Sequence, residues 1–187
     1  LAYQLTHIRY SDEVIRDRPP DWPIQLPANP LKEPDMKTAK RHEVVFSGGM
    51  MGNMVARDMG INTTTSNSMM GMMGMMHSKK IWFVNGVAAE GHIMDPMLTL
   101  DLDRSHVIAM TNASAWYHPI HLHGHSFRVI SRNGKTTKHR EWQDTVLMAP
   151  REIVEIAFVA DNPGDWMFHC HILEHQASGM MGVIRVA

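Results

Sequence analysis

From residue 81 onward, apolar residues come in short runs, several of them alternating with polar positions, and turn signals separate the runs. Strand side chains point alternately to opposite faces, so this pattern predicts an all-β sandwich of short strands. The runs are residues 81–84 before Asn85-Gly86, 98–102 with apolar residues at every second position, and 107–110. They continue at 127–130, 153–159, 166–171 and 182–186. Upstream, residues 41–47 read as the first strand of the same unit. Residues 1 to about 10 read as a separate strand through Ala2, Leu5 and Ile8. Helical patterning is confined to residues 50–59 and 172–175, and no internal repeat is visible.

A proline-rich stretch separates these parts, with prolines at 19, 20, 23, 27, 30 and 34. Proline fixes φ and lacks the N–H that a helix or central strand requires, so residues 18–40 are expected to be an extended linker. Residues 41–187 then form one domain, interrupted by a Gly/Met/Asn/Ser/Thr insertion over residues 48–76 that holds ten methionines. The chain has 187 residues, 44% of them hydrophobic, enough for one core plus an extension. Its net charge of -1 provides no whole-chain field for nucleic acid or an anionic membrane. No apolar run approaches the roughly eighteen residues that span a bilayer, and the start shows no charged segment leading into an apolar one.

Composition changes the picture at three residue types: 18 Met, 13 His and a single Cys. One cysteine cannot form an internal disulfide, so it is either a buried small hydrophobe or a thiolate with a chemical task. Its neighbours decide. They are His169, His171 and, further on, His175 and Met180, while a second segment holds His118, His121, His123 and His125. In a strand Cys170 faces one way and His169 and His171 both face the other, so one strand can serve two metal centres. The same rule puts His121 and His123 on a common face, while His118, set off by Pro119, can face elsewhere.

A blue copper site takes two imidazoles and a thiolate near a plane, with a weak axial thioether. Cys170, His175 and Met180 supply three of these, His118 is the natural fourth, and Gly179 permits the fold-back that their spacing needs. This donor set suits copper cycling between Cu(II) and Cu(I) better than zinc, which prefers closed tetrahedral Cys/His sets. A histidine-rich tract by itself can be a metal-buffering surface, and a lone cysteine by itself is ordinarily packing. Both segments matching one copper pattern disfavours that pair of coincidences.

HPIHLHGHSF, beginning at His118, and HCHILEHQASGMM, beginning at His169, resemble the two C-terminal copper signatures of multicopper oxidases, the family of laccases and bacterial cuprous oxidases. The resemblance covers residues from about 40 to 187, with Asn85-Gly86 matching a strand end familiar in the family. It implies a cupredoxin-like Greek-key β-sandwich carrying the Met-rich insertion, with residues 1–17 ending a preceding cupredoxin domain. It implies type 1 copper on His118, Cys170, His175 and Met180, type 2 copper on His121, and the binuclear type 3 pair on His123, His169 and His171. Cys170 with His169 and His171 would form the electron path to O2. His125 is not carried over as a ligand; it is expected to lie at the polar rim or behind a ligand.

The family's trinuclear site uses eight histidines, four of them from two His-x-His motifs in an N-terminal cupredoxin domain. Residues 1–117 contain His7, His42, His77, His92 and His106, none in such a motif. The resemblance therefore implies that N-terminal cupredoxin domains, as a separate or cleaved chain, complete the site. Two departures bear on function. Relatives often place an acid directly after the second type 1 histidine for proton delivery; here Gln176 stands there, and Glu174 points elsewhere if the segment is a strand. Relatives specialised for Cu(I) place Asp and Met just before the first ligand, where this chain has Ser114, Ala115, Trp116 and Tyr117.

In the insertion, Met50, Met51, Met54, Met59, Met69, Met70, Met72, Met73, Met75 and Met76 are candidates for Cu(I) recruitment. Thioethers are soft donors that select Cu(I) and need no deprotonation, which suits an oxidising or mildly acidic compartment such as the periplasm or the cell exterior. The alternative is a structural insertion covering apolar surface. The expected activity is one-electron oxidation of Cu(I) or phenols coupled to four-electron reduction of O2 to water. The rival from another class is a stand-alone blue-copper electron-transfer or copper-carrier module. Such a module has no use for four further imidazoles on the opposite strand face. Asp144 is a candidate partner for a ligand histidine, since carboxylates orient imidazoles.

Overall fold

The computed structural model describes residues 6–16, 23–61, 80–91 and 95–187, and the chain divides into two units, Leu1–Pro30 and Leu31–Ala187. In the first unit the described residues carry no strand. The strand expected over residues 1–10 is therefore not found over 6–10, and residues 1–5 lie outside the described part. A strand is held by ladder bonds and a buried face, and here Ile8 and Tyr10 are both exposed.

In the second unit the alternating runs become two facing sheets. The elements are β1 (Lys40–Gly48), α1 (Gly52–Asp58), β2 (Trp82–Val84), β3 (Leu98–Leu100), β4 (Ser105–Ala113), β5 (His118–Leu122) and β6 (Phe127–Arg132). They continue with β7 (Lys135–Thr136), β8 (Trp142–Gln143), β9 (Thr145–Met148), β10 (Ile153–Val159), β11 (Gly164–Cys170), α2 (Leu173–Ala177) and β12 (Met181–Val186). One sheet has the order β2-β1-β4-β10-β6-β7, with β8 also on β6; the other has the order β3-β12-β11-β5-β9. Two pairings are parallel, β1 with β4 and β12 with β3, and the others are antiparallel. This is a cupredoxin-like β-sandwich.

Phe46, Ile108, Phe127, Ile156 and Phe158 from the first sheet meet Leu100, Ile120, Leu122, Met148 and Phe168 from the second in one core. Each such side chain contributes about 1.5–3 kcal/mol by leaving water. Cys170 and Met180 belong to the same core and expose no surface. Along β5 the burial alternates: His118, Ile120 and Leu122 are buried, while Pro119 and His121 are half-buried. The middle of the second sheet thus carries histidine on both of its faces.

At the end of β2, Asn85 and Gly86 both have positive φ, 48° and 78°. That is the backbone of a tight two-residue hairpin turn, for which Asn-Gly is the favoured pair. Val84 and Val87 exchange backbone bonds of 2.8 and 3.0 Å across it. Val45 N–H donates to the Asn85 side-chain oxygen at 2.8 Å, which pins the turn to β1 and fixes where Trp82 enters the core. The helix expected over residues 50–59 is α1, tied to the β9–β10 connection by an Arg151–Asp58 ion pair of 2.9 Å. Met50, Met51 and Met54 are exposed on or beside it. Met69, Met70, Met72, Met73, Met75 and Met76 lie outside the described residues.

Candidate metal centre

β11 ends on the inner face of its sheet with Cys170 paired to Ile120 of β5, and His169 paired to His121. The chain then turns into α2, where Leu-Glu-His-Gln-Ala offers good helix-forming residues for a single turn. His175 N–H and Gln176 N–H both donate to Ile172 O at 3.0 Å. Met180 N–H donates to His175 O at 2.9 Å, and Cys170 N–H donates to Met180 O at 3.1 Å. These bonds close a compact loop that returns His175 and Met180 to Cys170. Gly179 makes the return, with φ +118° and no room for a side chain, since a Cβ there would lie 2.4 Å from Trp82 O. Gly179→Ala is expected to destabilise the protein by about 1–3 kcal/mol from backbone strain alone and to displace Met180. Thermal unfolding with the visible spectrum would report both, and an unaltered melting temperature would contradict this account of the loop.

His118 opens β5 from the other side. Its Nδ1 lies 3.1 Å from His175 Nδ1, and Cys170 Sγ lies 3.6 Å from each of those nitrogens. Among the described residues this is the one group that brings three such donor atoms within 4.8 Å of one another. Burial, with His175 adjacent, pushes His118 down to about 3. Burial likewise lowers His175, so both imidazoles present neutral lone pairs. Burial raises the Cys170 thiol to about 11, so a thiolate here needs a cation beside it. Two neutral imidazoles and a thiol converging in a largely buried pocket, with the Met180 side chain buried in the same core, fit a soft transition metal. Trp82 walls the group, its ring 5.0 Å from that of His118 and 4.3 Å from that of His175.

On the other face of the same strands, His121, His123, His169 and His171 gather. Ring centroids are 4.7 Å apart for His121–His123, 5.2 Å for His123–His169, 5.6 Å for both His121–His169 and His121–His171, and 5.8 Å for His169–His171. Their nitrogens do not converge on one point, as expected of a set shared among several ions. His169 Nδ1–H donates to Cys170 O at 2.9 Å, which leaves its Nε2 lone pair facing His123 Nε2 at 3.0 Å. Burial first, and the neighbouring imidazoles second, keep His123 and His169 below the usual histidine range. His121 Nδ1 has Asp144 O and Thr145 Oγ1 each at 2.9 Å, so it too directs Nε2 outward.

Some expectations change in detail. Asp144 meets His121 through its main-chain carbonyl, which the β8–β9 connection turns toward β5. Glu174 lies in a helix instead of a strand and is exposed. His125 is buried against Phe158 and Trp166, with ring centroids 5.3 and 5.9 Å away, and its Nε2 accepts from Asn162 N–H at 3.4 Å. It braces the loop carrying His123. Trp82, Ser114 and Thr145 touch ligand-type histidines without any signal in their own sequence neighbourhoods.

The multicopper oxidase family profile matches residues 61–187. The chain is 36% identical over 108 residues to the multicopper oxidase MmcO of Mycobacterium tuberculosis, covering 58% of this chain and 20% of that protein. It is 44% identical over 75 residues to the multicopper oxidase mco of Staphylococcus aureus, covering 39% and 17%. The solved multi-copper oxidase of Pseudomonas thermotolerans superposes with a TM-score of 0.69 at 31% identity, over 90% of this chain and 34% of that one. The Campylobacter jejuni multicopper oxidase, described as a metallo-oxidase, gives 0.61 at 27% identity, over 87% and 33%. The chain spans about a fifth of the length of the curated relatives it matches. With a profile match over more than half its length, on the fold and histidine-cysteine arrangement described above, the chain belongs to the multicopper oxidases.

Proposed function

We propose that this chain is the type 1 copper-bearing part of an oxidase that couples one-electron oxidation of Cu(I) or phenols to four-electron reduction of O2 to water. The observation that carries it is the two-faced end of β11: Cys170 points into the His118/His175 group while His169 and His171 join His121 and His123. His118, Cys170, His175 and Met180 would hold type 1 copper. His121 would serve type 2 copper, and His123, His169 and His171 the type 3 pair. Bound copper supplies one-electron redox and O2 chemistry. The chain's own part is to exclude water around Cys170 and to hold the imidazoles neutral and oriented. It also joins the two faces covalently, since Cys170 is bonded to both His169 and His171 through the main chain. The remaining four histidines would come from N-terminal cupredoxin domains. A stand-alone electron carrier leaves the four outward imidazoles without a task.

For the donor, the exposed Met50, Met51 and Met54 and the methionine density of residues 48–76 favour Cu(I). The Campylobacter relative's description as a metallo-oxidase points the same way. A periplasmic or extracellular location accords with a thioether-rich Cu(I) acceptor. Shortening residues 50–76 should lower Cu(I) oxidation severalfold while leaving oxidation of a bulky phenol nearly intact, because soft-donor recruitment matters only to the ion. Steady-state rates with the two donors decide it. Equal losses would reduce the segment to a structural insertion.

A further inference from the structure

Ser114 is fully buried four residues before His118, and its hydroxyl lies 2.8 Å from His118 Nε2, the nitrogen on the far side of the ring from Cys170. The direction of that bond follows from Asn112, which is also fully buried. Asn112 Nδ2 donates to Trp116 O at 2.7 Å and to Ala149 O at 2.9 Å. The reversed amide would set its oxygen against two carbonyl oxygens, so the orientation is determined. Asn112 Oδ1 therefore faces Ser114, accepting its N–H at 3.1 Å and its O–H at 2.8 Å. A hydroxyl has one proton, and here it goes to Asn112 Oδ1. A second acceptor, Trp116 O, is farther at 3.3 Å. What Ser114 Oγ offers His118 is a lone pair, beside the Trp116 N–H it already accepts at 3.2 Å.

We infer that Ser114, fixed by Asn112, is a positioning residue that holds His118 in the Nε2–H tautomer with Nδ1 presented to the metal, and thereby sets the reduction potential of the copper. This rests on the type 1 assignment made above. An imidazole whose distal N–H donates to an oxygen is the more basic ligand, and Cu(II) gains from that more than Cu(I) does. Of residues 114–117, Ser114 is the one hydrogen-bonded to a ligand histidine.

The test compares the copper-loaded protein with its Ser114→Ala, Ser114→Thr and Ala115→Gly variants. Ala removes the acceptor, Thr restores it with an added methyl, and Ala115→Gly loosens the same turn without touching the hydroxyl. Ser114→Ala should lose about tenfold or more in Cu(II) affinity, the usual effect of removing a group behind a metal-bound histidine. If Cu(I) affinity is unchanged, tenfold corresponds to a rise in potential of about 59 mV. The blue charge-transfer band and the copper hyperfine splitting should shift with it. In the diamagnetic Cu(I) form, the His118 Nε2–H resonance should resist exchange in the parent and be lost to exchange in Ser114→Ala. Ser114→Thr, where it folds, and Ala115→Gly should stay near the parent in potential and spectrum. A blue parent whose potential, spectrum and N–H protection all survive Ser114→Ala would overturn the inference. So would equal shifts in Ala115→Gly. A parent that binds copper without blue colour would instead overturn the type 1 assignment beneath it.

Discussion

Replacing Cys170 by Ser is expected to abolish the intense blue absorption of the copper-loaded protein while leaving the sandwich folded. The absorption depends on charge transfer from a thiolate to copper, and the chain contains no second cysteine to supply it. Cys170 is buried in the core with His118 and His175 at 3.6 Å, so the substitution removes one donor without changing the shape of the pocket. Burying the hydroxyl costs roughly 1–3 kcal/mol if it finds no partner. The two histidines beside it offer partners and reduce that cost. Far-ultraviolet circular dichroism and the visible spectrum of parent and variant decide the matter. A variant that stays as blue as the parent would remove Cys170 from the site.

Oxygen turnover by residues 1–187 expressed alone is expected to be absent. Four-electron reduction of O2 requires three clustered coppers, and the outward face of β5 and β11 offers them only His121, His123, His169 and His171. Among the described residues, His42, His106 and His125 do not substitute for the missing ligands. His42 and His106 are engaged with each other at 3.1 Å, and His125 is packed against Phe158 and Trp166. The isolated chain should therefore take up type 1 copper and accept one electron, with no sustained oxygen uptake. Addition of a polypeptide carrying two His-x-His motifs should restore the remaining coppers and the oxidase activity together. Sustained oxygen consumption by the isolated chain, with three or more coppers bound to each, would mean that self-association completes the cluster.

How far the sequence revealed this site depended on the range over which each contact acts. Strand alternation alone separates Cys170 from His169 and His171, because neighbouring residues on a strand cannot share a face. The apolar runs that became β4, β10, β11 and β12 were equally local in origin. Two-residue β7 and β8 and the short β9 left no periodic signal. Residues 6–10 show the opposite failure, apolar positions that read as strand with no ladder to join. The return of His175 to Cys170 was legible as a spacing requirement, but its means, a helical turn closed by Gly179, depends on backbone bonds that composition does not display. Trp82 reaches His118 and His175 only because the Asn85-Gly86 turn anchors β2 to β1. Ser114 matters only because the Asn112 amide at the end of β4, itself oriented by a carbonyl beyond β9, fixes its proton. The Trp82 contacts and the Asn112–Ala149 bond join segments far apart in sequence.

On the proposed function, the two faces of one strand pair hold different copper centres. Anomalous diffraction recorded above and below the copper edge, from crystals of the copper-loaded oxidase, addresses it most directly. One copper is expected, enclosed by His118 Nδ1, Cys170 Sγ and His175 Nδ1 with Met180 nearby. Further copper is expected on the opposite face, bound by His121, His123, His169 and His171. Copper confined to the methionine-rich insertion, or a peak at only one of the two faces of β11 in the complete oxidase, would contradict it.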